Sequence, residues 1–194
     1  VYVSGPRSPV QRLLLEFMGY RRFSIDIYRN RVEFEKLLGV LEGKALELYR
    51  ILADSPAEVV WVPENINGIM TSPKIFEKYC IPFYDKLAQI LHGKDKVITV
   101  HMDGRLKSLV KSIPKAKVNS IDGFTPPPVG DLPIREARDI WGSDYTIWTN
   151  FPGTVFLHGA KATKDRTIEM LKEAAPGDRF IVGVTENIPS DSSE

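Results

Sequence analysis

Apolar residues recur every three to four positions over residues 8–18 and 30–53, and from residue 59 onward short continuous apolar runs alternate with such helical stretches. Ser8-Pro9 supplies an N-cap and a proline at the first helical position, and Leu13, Leu14, Phe17 and Met18 form one apolar face that Gly19 should end. Residues 20–28 mix aromatics with arginines and follow no clear period; a short helix covering a core edge is one reading. Asn30 and Glu33 then resemble a capping box, and Val32, Leu37, Leu38, Leu41, Ala45, Leu48, Tyr49 and Leu52 predict a helix to about residue 53.

Five strands are predicted, at residues 59–62, 97–104, 118–123, 145–150 and 180–184. Between them the pattern predicts a helix opened by Ser72-Pro73 and kinked at Pro82, a short amphipathic helix over 105–112, and helices over 133–141 and 164–175. Strands alternating with crossover helices imply an α/β fold with a parallel sheet covered on both faces. An open doubly wound sheet and a partial (β/α)8 TIM-type barrel both satisfy this order. No Gly-x-Gly-x-x-Gly or P-loop lysine follows a strand, and polar residues gather at strand ends, so the partial barrel with about five parallel strands is the expectation. Residues 1–194 read as a single domain, with 1–29 a helical lead-in and 190–194 a flexible polar tail. The start at Val1 rather than Met suggests a fragment of something longer.

Composition narrows the function classes. Basic and acidic residues number 26 and 25, so no whole-chain field favours nucleic acid or an anionic membrane. A lone cysteine, Cys80, excludes an internal disulfide and fits a reducing, cytoplasmic setting. No apolar run reaches the roughly 20 residues that span a bilayer.

The candidate chemistry lies where the strands end. Glu64, His101 with Asp103, Asp122, Asn150 and Glu186 each close a predicted strand, and in a parallel barrel those ends converge on one substrate-binding face. Alternation along the strand places His101 and Asp103 on the same side. Polar strand ends also cap the helices that follow, so each residue alone has an ordinary structural explanation; all five strands behaving alike argues for a site. An imidazole among carboxylates suits either a metal centre with N/O ligands or a general acid–base pair. His158, in the loop after the fourth predicted strand, is a further substrate-binding candidate. Cys80 has no basic neighbour and reads as an inert buried thiol. His92 sits at a helix C-terminus, where a cation meets the dipole. Trp61 and Trp148 read as barrel packing, and Pro126-Pro127-Pro128 as a stiff rim or lid.

The run of Ser72-Pro73, Phe76 and Pro82, then Val100-His101-Met102-Asp103-Gly104, Ile121-Asp122, Asn150 and a closing segment at 183–189 resembles the uroporphyrinogen decarboxylase superfamily, which includes cobalamin-dependent methyltransferases. The resemblance covers about residues 30–189 and implies the C-terminal part of a (β/α)8 barrel. In the methyltransferase branch a His-x-Cys pair and a later Cys bind zinc. His101 matches the histidine, Asp103 stands at the first cysteine position and Glu186 near the second, which would exchange thiolates for harder carboxylates. The resemblance thus implies methyl transfer with a corrinoid-bearing partner protein, with His101, Asp103 and Glu186 as metal ligands or acid–base groups and Glu64, Asp122, Asn150 and His158 on a small-molecule substrate. The alternative it implies is cofactor-free decarboxylation of a porphyrinogen-like carboxylate. A third expectation is a binding module without activity of its own: the open edges at the 59–62 and 180–184 strands would pair with a second copy or a complementing chain.

Overall fold

The structure is a computed structural model and describes residues 1–184, 188 and 190. Six strands form one parallel sheet: β1 (Tyr2–Ser4), β2 (Val59–Ile66), β3 (Val97–Met102), β4 (Ser120–Phe124), β5 (Thr146–Asn150) and β6 (Phe180–Gly183). They lie side by side in chain order, β1 to β6. A doubly wound sheet reverses its winding at a switch point, whereas a barrel adds each strand on the same side of the last. The unreversed order identifies a partial barrel.

β1 is absent from the sequence reading because three residues are too few to show a period. It pairs in register with β2 at Tyr2↔Val59, Val3↔Val60 and Ser4↔Trp61. The first open edge of the sheet is therefore β1 and not the 59–62 strand; the other, among the described residues, is β6. The amino-terminal lead-in is thus a strand before it is helical.

The helices are α1 (Pro9–Arg12), α2 (Gly19–Arg29), α3 (Arg31–Ala53), α4 (Pro73–Ile75), α5 (Ile81–His92), α6 (Ile134–Trp141) and α7 (Gly159–Ala174). The Ser8 and Ser72 hydroxyls cap α1 and α4, each with proline following, as the sequence predicts. Residues 20–28 prove helical. Their buried face is Phe23, Asp26 and Ile27, and the polar Asp26, held by Arg22 and Asn30, hides the period from a hydrophobicity pattern. Pro82 acts one turn earlier than its own position: a π turn spans Phe76–Cys80, and the Ile81 N–H bonds to the Phe76 carbonyl five residues back. A proline ring has no N–H to offer the preceding turn, and a wider turn absorbs the mismatch.

Several predictions differ at their boundaries; β2, for one, runs to Ile66 and not only to residue 62. Residues 105–112 hold no continuous helix; 3-10 turns at Lys107–Leu109 and Ile113–Lys115 bury Leu106, Leu109 and Ile113 instead. α7 starts at Gly159, several residues before the predicted 164, because its first turn, Gly159-Ala160-Lys161-Ala162, holds no large apolar side chain to show a face.

Burial along β2 alternates strictly. Val60, Val62, Glu64 and Ile66 are buried, and Trp61, Pro63 and Asn65 half-buried. α1 packs on β2 and α5 on β3, where Ile98, Val100 and Met102 join the core. The half-buried residues of β2 belong to the opposite face, which carries a cavity. Among the described residues no helix is long and apolar enough to cross a membrane.

Candidate active site on the open face of the sheet

Strand register brings the polar groups together. His101 on β3 stands opposite Asp122 on β4, and Asp122 opposite Trp148 on β5. His101 Nδ1 lies 2.9 Å from Asp122 Oδ2, and Trp61 Nε1 donates to the same oxygen at 3.0 Å. A carboxylate only accepts, so His101 carries its proton on Nδ1 toward Asp122. The Trp61 ring meets the imidazole edge-on, with centroids 5.9 Å apart at 81°. Gly123 supplies the remaining wall: its φ is +82°, and a Cβ there would lie 2.5 Å from His101 Cε1. Only glycine satisfies both the left-handed backbone and that close approach. Asp122 itself is only 5% exposed.

These side chains line a cavity of about 460 Å³, together with Tyr2, Arg7, Glu64 and Asn65. That volume falls within the range of small-molecule sites, roughly 300–1,000 Å³. Glu64 is fully enclosed and accepts from the Ser8 N–H at 2.8 Å and the Ser8 hydroxyl at 3.0 Å. Burial pushes its carboxyl up to about 7, although the Ser8 donors oppose the rise. Arg7 precedes that serine, and its Nη1 lies 3.3 Å from Glu16.

A second cavity of about 540 Å³ lies between the loops after β2 and β3 and the start of α2. Asp103 lines this one, whereas His101 lines the first. The pairing of His101 and Asp103 on one side rested on alternation continuing past residue 102, but β3 ends at Met102, and Gly104 turns the chain at φ +65°. Asn65 borders both cavities; with its amide turned to donate, it reaches the two Asp103 oxygens at 3.0 and 3.2 Å.

The other candidates separate. Asn150 is buried at the end of β5 and donates to the Thr125 hydroxyl at 3.4 Å, lining neither cavity. His158 is exposed just before α7 and likewise lines neither. Glu186 lies outside the described residues. Among the described residues no three His, Cys, Asp or Glu side chains are grouped to hold a metal ion. Of the zinc set that the resemblance implies, His101 and Asp103 are described and line separate cavities.

Trp61 and Trp148 are not barrel packing, as the sequence suggested; both wall the first cavity. Their position between buried neighbours was the available signal, since alternation puts Trp61 opposite Val60 and Val62. Tyr2 and Arg7 carried no signal, because β1 was not recognisable. Cys80 is buried, and burial drives its thiol well above the usual range. His92 bonds Asn119 at 3.0 Å beside the end of α5.

The sequence matches the family described as uroporphyrinogen decarboxylase (URO-D) over residues 12–194. No curated protein matches it. Among solved structures it is similar to a methyltransferase from Methanosarcina mazei, with a TM-score of 0.70 at 13% identity, over 97% of this chain and 55% of that one. The chain thus spans about half the length of that structure, and the likeness at this identity is one of fold. On the match across nearly its whole length, the chain belongs to the uroporphyrinogen decarboxylase (URO-D) family.

Proposed function

We propose that this chain is the C-terminal part of an enzyme that removes a methyl group from a heteroatom of a small molecule and passes it to a corrinoid-bearing partner protein. The observation that carries this reading is the His101–Asp122 pair on the floor of an aromatic cavity. When the methyl–heteroatom bond breaks, the methyl leaves for the acceptor and the electron pair stays on the heteroatom. His101, protonated on Nε2, gives its proton to that atom. Asp122 holds Nδ1–H throughout and stabilises the imidazolium, while the Trp61 N–H fixes the carboxylate. A corrinoid held by the partner would supply the nucleophilic metal that receives the methyl. The fold likeness to a methyltransferase supports the same direction.

A second reading, decarboxylation, is favoured by Glu64 and Arg7. Arg7 could orient a substrate carboxylate; as CO₂ departs, the electron pair left on carbon would take the proton of Glu64, whose pKa is about 7. Labelled-methyl transfer to a corrinoid protein and release of labelled CO₂ separate the two. Under the first reading His101→Ala lowers methyl transfer by about 10²-fold or more, the ordinary contribution of a positioned acid–base group. Unchanged methyl transfer in His101→Ala refutes that assignment. CO₂ release with no methyl transfer by the unaltered chain would replace it with the second.

A further inference from the structure

The proton-transfer pair leaves the walls and the charge balance of the first cavity unexplained. Three aromatic side chains wall it: Tyr2 and Trp61, with ring centroids 6.0 Å apart at 35°, and Trp148 from β5. The charged side chains on its lining are already matched. Asp122 spends Oδ2 on His101 and Trp61, and its Oδ1 is sealed from solvent. Glu64 receives the Ser8 N–H on one oxygen and the Ser8 hydroxyl on the other. Arg7 is paired with Glu16. A charged ligand entering this space would shed water and meet no unmatched counter-charge among the described residues, whereas an uncharged ring gains contact with aromatic walls.

The acid in the site points to the atom that loses the methyl group. A methyl that departs from an ammonium nitrogen leaves its electron pair on a neutral amine, and a proton donor has nothing to neutralise. A methyl that departs from an ether oxygen leaves an anion, which the Nε2 proton of His101 converts to a hydroxyl. In an aryl ether the ring spreads that electron pair, so the bond breaks more readily than in an alkyl ether. We infer that the substrate is an uncharged aryl methyl ether, its ring held among Tyr2, Trp61 and Trp148 and its oxygen at His101. The methyl passes to the corrinoid of the partner, the C–O electron pair stays on oxygen, the proton of His101 joins it, and a phenol is released. The ether rests on the methyl-transfer reading; the uncharged ring does not.

Binding tests this without any turnover. The purified chain is titrated in a calorimeter with methoxybenzene, with methoxycyclohexane, and with two charged probes, tetramethylammonium and 4-methoxybenzoate. Methoxycyclohexane carries the same ether on a saturated ring of no smaller apolar surface, so burial alone gives no preference for the aromatic compound. Methoxybenzene should bind about fivefold tighter than methoxycyclohexane, the margin that favourable ring pairs supply, and tighter than either charged probe. Tyr2→Leu and Trp148→Leu keep apolar bulk and remove a ring, and each should shrink that margin to about twofold or less. Equal binding of the two ethers to the unaltered chain overturns the inference, whatever the variants do. So does tighter binding of tetramethylammonium, which would assign a cation, or of 4-methoxybenzoate, which would assign an acid. A margin unchanged in both variants overturns the placement of the ring. Failure here leaves methyl transfer standing for another donor, and failure of the methyl assay leaves the binding margin measurable.

Discussion

Replacing Glu64 by Gln should make the chain more stable at alkaline pH and barely change it in acid. The carboxyl is enclosed at 2% exposure, and burial raises its pKa from an ordinary 4.5 to about 7 in the folded chain. A raised carboxyl pKa means that the folded state holds its proton more tightly than the unfolded chain. The contribution is therefore complete below pH 4.5, is lost as pH rises toward 7, and stays lost above it. The gap of 2.5 between 4.5 and about 7, at about 1.36 kcal/mol per unit, corresponds to ~3 kcal/mol. Gln is isosteric and neutral at every pH. Its carbonyl can accept the Ser8 N–H, and its amide can turn to the Ser8 hydroxyl, so the two Ser8 contacts survive in outline. Urea unfolding of both proteins from pH 4.5 to 8 gives the test. The stability of Glu64→Gln minus that of the unaltered chain should rise by ~3 kcal/mol across this window, the other titrating groups cancelling in the difference. A difference that stays flat to within about 0.5 kcal/mol, the usual additivity error, would refute the claim that Glu64 is buried with a raised pKa.

Two further expectations follow from the floor of the cavity. Asp122→Asn should keep the fold but lower activity by about 10²-fold or more, because the amide oxygen that still accepts from both Trp61 and His101 carries no charge to stabilise the imidazolium; unchanged turnover in the variant would count against the pairing. Gly123→Ala should destabilise by about 1–3 kcal/mol, from a non-glycine residue held at φ +82° and a methyl group driven into His101; a urea midpoint equal to that of the unaltered chain would show that the backbone there is free to relax.

Much of the architecture is legible one segment at a time. Helices α3 and α5 and strands β2, β3 and β5 have apolar faces long enough to state their period, and the serine–proline caps mark where two helices begin. What escaped lies where the local pattern is short or masked. β1 has three residues, and α2 places Asp26 on its buried face. In the site, Asp122 and His101 were visible as strand ends, but their bond depends on β3 and β4 aligning in register. The separation of Asp103 from His101 depends on where β3 stops hydrogen bonding, which side-chain alternation cannot report.

Hydrophobic periodicity and the alternation of strands with helices determined a parallel α/β chain, because each segment must bury its own apolar face whatever its neighbours do. Only the tertiary structure decided the rest. It set the six strands in chain order as part of a barrel, seated Glu64 against Ser8 fifty-six residues away, and collected Tyr2, Trp61, His101, Asp122 and Trp148 from five strands into one cavity. Register between strands is a property of pairs, and burial of a charge is a property of everything that surrounds it; neither is encoded in any single stretch of residues.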